Sequence, residues 1–307
     1  MKLRCSIALL TALTLTGCAQ SPPPEASFND PTALPYVTAH GVQVQVQVPK
    51  DGFVSAQMVI DAKAAEAAAL TTNNVTRSSV QAGGVVGLLV ASAINTQTGT
   101  GVLERDARAA AQKDARPMAA LLSNQAADDK LTQRFRQAGM TAGLPLGQGA
   151  VTAHLIVEPQ LVLSADRGSF TLVSRVQVQD IAGSALYRRH IEVVGQPFRR
   201  CGTQCVDDGQ LDMALVDGQL QQCIDETLRV LAQDLHAGDG QALGQEQTVR
   251  YVLDGQRQVE RGRLLPGGGI YHRYRNLNGA VKSVPVPFEG MAVQSVNTLG
   301  QFIKAED

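Results

Sequence analysis

Val42, Val44, Val46 and Val48 alternate with Gln43, Gln45 and Gln47, and a period of two is the mark of a half-buried strand. Turn-forming Pro49-Lys50-Asp51-Gly52 separates this strand from a second extended run over residues 53–60, so the pair predicts a hairpin. The Ala-rich stretch 61–70, carrying Lys63 and Glu66, favours helix until Thr71-Thr72-Asn73-Asn74 breaks it. Residues 104–125 are rich in Ala, Arg and Asp and predict another helix, in which Pro117 is expected to open a second helical piece. The helical texture continues over 128–138, with Leu131 and Phe135 one turn apart, and the mixed charges from Glu104 to Arg116 read as a solvated face.

From Val151 the rhythm changes. Leu155, Val157, Leu161 and Leu163 share one parity, as do Phe170, Leu172, Val176 and Val178, and turns at Asp166-Arg167-Gly168 and Asp180-Ile181-Ala182-Gly183 separate three strands. Leu211, Leu215, Leu220, Ile224, Leu228, Leu231 and Leu235 then step by three to five residues, which gives an amphipathic helix able to cover the apolar face of that meander. Beyond it, Asp254-Gly255, Gly267-Gly268-Gly269 and Asn278-Gly279 punctuate four short alternating runs, a strong hairpin signal. The fold class expected is therefore α+β. A helical layer packs on an antiparallel meander within 41–240, and a small β-meander or partly closed barrel follows over 246–307, SH3-like by its size.

Composition narrows the function classes. Over 307 residues, 44% are hydrophobic and 18% charged, enough apolar side chain for a large core and unlike a disordered chain. The formal net charge of −1 offers no general attraction to nucleic acid, and the absence of Trp with only 4% aromatics leaves few stacking platforms. Positive charge is nevertheless uneven. Residues 246–290 hold Arg250, Arg257, Arg261, Arg263, Arg273, Arg275 and Lys282 against Glu246, Asp254, Glu260 and Glu289, and these arginines are expected either to solubilise strands or to meet a partner.

The chain opens with Met1-Lys2-Leu3-Arg4, followed over 7–15 by an apolar stretch too short to cross a bilayer, the pattern of a targeting segment occupying 1–17. It ends in Leu15-Thr16-Gly17-Cys18, which resembles the lipobox of the bacterial lipoprotein class: Leu, a small residue, Gly or Ala, then the Cys that is lipidated. That resemblance implies cleavage before Cys18 and a covalent lipid on its thiol; apart from this lipid no cofactor is expected. Ala19, where an Asp would favour the inner membrane, implies the periplasmic face of the outer membrane. Acyl chains of this kind contribute about 0.8 kcal/mol of membrane affinity per buried methylene. Residues 18–40 form the lipidated N-terminus and a tether, whose Ser21-Pro22-Pro23-Pro24 stretch favours extended chain.

Candidate chemistry is sparse. With Cys5 leaving in the signal and Cys18 taking lipid, Cys201, Cys205 and Cys223 remain, and an oxidising compartment leads us to expect one disulfide among them, its pairing open. The three-residue gap in Cys201-Gly-Thr-Gln-Cys205, with no His at ligand spacing beside it, argues against a metal site. His40, His154, His190, His236 and His272 are scattered and form no nucleophile-and-base pattern, so no catalytic residues are assigned. The uncharged stretch 82–95 places Gly83, Gly87 and Ala91 four apart, a nearly bare helical face suited to close packing of another helix within the domain, to self-association or to membrane contact. The function expected is that of an anchored, non-catalytic structural or interaction component of the cell envelope with an envelope protein as partner. A periplasmic envelope hydrolase, or a secretion or pore-assembly subunit using 82–95, are the alternatives.

Overall fold

The computed structural model describes residues 26–57, 100–147, 153–164, 167–197, 213–237, 245–253 and 256–289, together with a two-stranded pair at β11 (Ser295–Val296) and β12 (Phe302–Ile303). The fold is mixed α and β, with four helices and one ten-stranded, mostly antiparallel open sheet among the described residues. Three long strands, β4 (Ala153–Leu163), β5 (Phe170–Asp180) and β6 (Ala185–Val194), form its first meander. Their alternation follows the sequence pattern: Leu155, Val157, Leu161, Leu163, Phe170, Leu172, Val176 and Val178 are all buried, while the intervening side chains are half-buried or exposed. The β5–β6 turn closes because Asp180 accepts the Ser184 amide on its carboxylate and Gly183 takes φ 83°, a left-handed conformation that glycine adopts without strain.

Two expectations about strand and helix connection are corrected. The runs on either side of Pro49–Gly52 do not pair as a hairpin: β2 (Gln43–Val46) and β3 (Val54–Ala56) both lie parallel to β4, against residues 154–157 and 161–163. The turn, with the Gly52 amide bonded to the Pro49 carbonyl at 2.8 Å, interrupts one edge strand instead of reversing it. A period of two identifies a strand but says nothing about its partner. Similarly, α2 (Thr100–Leu122) runs unbroken through Pro117. Ala107, Ala111, Ala115, Met118 and Leu122 form one buried stripe on both sides of the proline, so packing holds the helix across the single hydrogen bond that Pro removes.

All four helices bury their apolar residues in the same core on one face of the sheet: Ala33 and Val37 from α1 (Ala33–His40), Met118 and Leu122 from α2, Leu131 and Phe135 from α3 (Asp128–Thr141), and Leu220 to Leu235 from α4 (Met213–Ala237). α4 is the amphipathic helix expected from the leucine spacing, and it lies across β5 and β6. The C-terminal strands β7 (Gln247–Leu253), β8 (Gln256–Gly268), β9 (Tyr271–Asn276) and β10 (Val281–Val284) form the expected four-stranded meander. They continue the same sheet, because β10 pairs in parallel with β6, Val281 opposite Ile191 and Ser283 opposite Val193. β1 (Phe28–Asn29) occupies the remaining edge of β6, opposite Arg188 and Tyr187. A second, smaller core of Val194, Val249, Tyr251, Tyr274, Val284 and Phe288 sits on the sheet face away from α4. Among the described residues no helix is long and apolar enough to cross a membrane.

Candidate functional site

Where α4 crosses the junction of the two meanders, the interface is ionic. Glu226, Gln233 and Asp234 fall on one side of the helix, about two turns apart, and they point at the inward parity of β9 and β6. Arg273 reaches both oxygens of Glu226, through Nε at 2.6 Å and Nη2 at 2.8 Å, and its Nη1 bonds Gln233. Ser283 of β10 donates to the same carboxylate, and Arg229 binds it from within the helix at 2.7 Å. Eight residues further along, Asp234 accepts Arg189 Nε at 2.7 Å and the Tyr187 hydroxyl at 3.0 Å on Oδ2, and Arg275 on Oδ1. The Asn29 amide donates to the Asp234 carbonyl at 2.6 Å, which ties β1 into the same cluster.

Glu226, Asp234, Arg189, Arg273 and Arg275 are all buried. Charges removed from water persist only when paired and hydrogen-bonded, and here every carboxylate oxygen of Glu226 and Asp234 has a donor. Asp234 stands in the last turn of α4, where the helix dipole disfavours an acid, and two guanidiniums offset that. Burial first, and then the Asp234 charge, push the Tyr187 hydroxyl well above its ordinary range, so it serves as a permanent donor. On the opposite face, Lys282 bridges Glu260 at 2.7 Å and Glu192 at 3.1 Å, and these carboxylates hold its ammonium charged against burial, with its pKa raised. The chemistry of the seam is that of a weld: each carboxylate is held by two guanidiniums between α4, β6 and β9, with Ser283 of β10 donating to Glu226.

The sheet face opposite the helices has a different character over β2, β4, β5 and β6. Strand register sets its side chains in rows, Gln43 beside His154 and Gln179, then Gln45 beside Ile156, Gln177 and Arg188, then Glu158 beside Arg175 and His190. His154 Nδ1 and the Gln45 amide lie 3.1 Å apart. Glu158 and Arg175 approach to 3.7 Å as a solvent-exposed pair of little energetic weight. Burial, and then the Arg175 charge, lower the pKa of His190, so its imidazole favours the neutral form. Beside the charged Glu158, Arg175 and Arg188, this face presents amides and imidazoles, groups that both donate and accept hydrogen bonds.

The residues singled out from the sequence fare unevenly. Cys18, Gly83, Gly87, Ala91, Cys201 and Cys205 lie outside the described residues. Cys223 is a free thiol fully buried in the core under α4, and burial pushes it up to about 12. Of the basic cluster in 246–290, Arg273, Arg275 and Lys282 turn inward to carboxylates, and Arg257 and Arg261 pair at the surface with Glu289 and Glu246. The sequence pattern did not reveal the seam. One signal was present: Glu226 and Asp234 fall on the apolar side of a leucine-stepped helix, beside Val230 and Leu231, where unpaired acids would be untenable. Comparison of the chain with protein-family models, with curated proteins and with solved structures finds no match.

Proposed function

We propose that the protein is a lipid-anchored component of the cell envelope, attached through Cys18 at the periplasmic face of the outer membrane, and that it works by engaging an envelope protein and not by catalysis. The observation that carries this reading is the division of polar groups. Among the described residues, a dense constellation of ionisable side chains around Glu226 and Asp234 is used internally to join helix to sheet. The rows of β2, β4, β5 and β6 are different: their largely half-buried amides and imidazoles, with Glu158, Arg175 and Arg188 among them, have no helix of the described residues packed over them and are of the kind a partner's polar groups can dock on. In this proposal β7–β10 act as a small SH3-like unit about Tyr251, Tyr274 and Phe288, with Arg250 and Arg263 exposed on its rim.

Two measurements test it. A photo-crosslinking side chain at Gln45 or Gln177 should capture a discrete envelope protein in cells, whereas one at the exposed Lys130 of α3 should not. Identical adduct patterns from all three positions would refute the sheet face as the docking surface. Cys18→Ser should leave unprocessed precursor that does not label with palmitate, and normal labelling of that variant would refute the anchor.

A further inference from the structure

The protein closes the margin of its sheet with its own chain in two places. At β2 the Val46 amide donates to the Thr132 hydroxyl at 3.3 Å and the Gly147 amide to the Val42 carbonyl at 3.1 Å. At β7 the Glu289 amide donates to the Arg250 carbonyl. A third margin has no such cover among the described residues. β9 stops at Asn276, opposite Gly262, whereas β8 begins at Gln256 and is paired over 256–261 with β7 alone. The two strands form an arm that extends about 20 Å past the end of β9. Because the Arg250 carbonyl turns outward to Glu289, Arg250 and Val259 are a pair that exchanges no hydrogen bonds, and so are Val252 with Arg257 and Thr248 with Arg261. Arg257, Val259 and Arg261 therefore turn their amides and carbonyls away from β7, towards the position of a further strand.

The side chains along this edge are cationic and apolar in alternation. Arg257, Val259, Arg261 and Arg263 share the parity of Leu265, which packs against the main core, so they lie on the helix side of the sheet, away from the smaller core of Tyr251 and Tyr274. Arg250 and Val252 of β7 stand in the same rows, which sets Arg250 and Arg257 on one diagonal and Val252 and Val259 on the other, about 7–8 Å apart. All four are exposed, the two valines at 49% and 55%. The Arg250 and Arg263 side chains have no acidic partner among the described residues. Arg257 binds Glu289 at 2.9 Å and Arg261 binds Glu246, exposed pairs of little energetic weight that a partner's carboxylates can replace.

We propose that the arm binds an extended acidic segment of a partner protein as an added strand along residues 257–261 of β8, antiparallel to it as β9 is. Carboxylates of that segment stand opposite Arg257 and Arg261, and an apolar side chain stands opposite Val259. The open backbone edge calls for an extended chain, since main-chain hydrogen bonds give such a strand its affinity and alternate side chains its specificity. The arginines call for acids, which a guanidinium fork takes through both oxygens. A lipid surface supplies anions but no backbone groups for the edge, so the two observations together favour a peptide. The inference stands on the arm alone and adds a second contact surface to the sheet face of the preceding section.

The probe is a capped, fluorescein-labelled peptide, Thr-Glu-Thr-Val-Thr-Glu-Thr, titrated with the full chain at low salt and read by fluorescence anisotropy. Saturable binding is expected. It should weaken about tenfold in Arg257→Gln/Arg261→Gln, the weight of two exposed ion pairs, and stay unchanged in the charge-matched control Lys130→Gln/Arg136→Gln on α3. A peptide of the same composition reordered to Glu-Glu-Thr-Thr-Thr-Thr-Val, and one methylated on the amide of its Val, should each bind at least tenfold more weakly. Equal binding of the reordered peptide would reduce the contact to charge alone, and equal binding of the methylated one would exclude strand addition; either overturns the proposal. So does an absence of saturable binding, or an affinity unmoved by the double arginine variant. Phosphatidylglycerol vesicles that bind the protein through these arginines while the peptide does not would assign the arm to lipid and overturn it as well. The peptide variants are tested on the unaltered protein, so the decision does not depend on how any substitution affects folding.

Discussion

Replacing Asp234 by Asn removes one negative charge and little volume, and it leaves Arg189 and Arg275 facing each other in the interior without that counter-ion. Their side chains are only 2% and 10% exposed, so water cannot take over the role of the carboxylate. Breaking a buried ion pair from one side costs about 3–5 kcal/mol, because the remaining charge keeps its desolvation penalty and loses its compensation. Against a total stability of about 5–15 kcal/mol, that is a large part of what holds the chain folded. With a urea m-value of about 2–3 kcal/mol per molar, the unfolding midpoint of Asp234→Asn should fall by roughly 1–2 M, read by circular dichroism on the full chain. Hydrogen exchange should quicken first in residues 271–284, since β9 and β10 are what the weld attaches to α4 and β6. Glu158→Gln, which breaks only the exposed pair with Arg175 at 3.7 Å, serves as the control and should leave the midpoint unmoved. The triple replacement Asp234→Leu, Arg189→Met, Arg275→Met removes the charges together and should recover most of the loss. If Asp234→Asn lowers stability by less than about 1 kcal/mol, the pair behaves like an exposed one and the account of a desolvated seam is wrong.

Three further outcomes follow from the same structure. A Cβ on Gly262 would lie 2.6 Å from the Arg275 carbonyl and 3.0 Å from the Tyr274 ring, so Gly262→Ala should force β8 and β9 apart and lower stability by about 1–3 kcal/mol; an unchanged melting temperature would contradict that packing. His190 has a folded-state pKa below its ordinary 6.5, so the unfolded chain takes up a proton that the folded chain refuses: stability is full above 6.5 and is lost as pH falls towards the folded-state value, and His190→Gln should flatten that part of a urea-unfolding pH series. The Cys223 thiol, buried and raised to about 12, should resist alkylation in the native protein and react on unfolding, and rapid native labelling at Cys223 would refute its placement under α4.

What the sequence determined by itself is whatever local chemistry decides. The alternation in β4 and β5, the Asp180–Gly183 and Asn278–Gly279 turns, and the leucine steps of α4 each contain their own instruction, because turn geometry and the side-chain period act over a few residues. Pairing between distant strands carries no such instruction. Nothing in Val42–Val48 distinguishes a hairpin partner from a parallel seat on β4, and nothing near Val281 announces a parallel place beside β6. The same holds for the seam. β9 reads Tyr-His-Arg-Tyr-Arg-Asn, in which neither parity is apolar, so its inward face is undetermined until α4 supplies Glu226 and Asp234 for Arg273 and Arg275 to meet. Sequence alone reads those arginines as surface residues, because a charged side chain is buried only when its partner arrives with it, and that partner lies 41 to 47 residues away along the chain. The tertiary structure therefore decided which charges join the body together and which remain outside it, while the local pattern had already decided the elements that carry them.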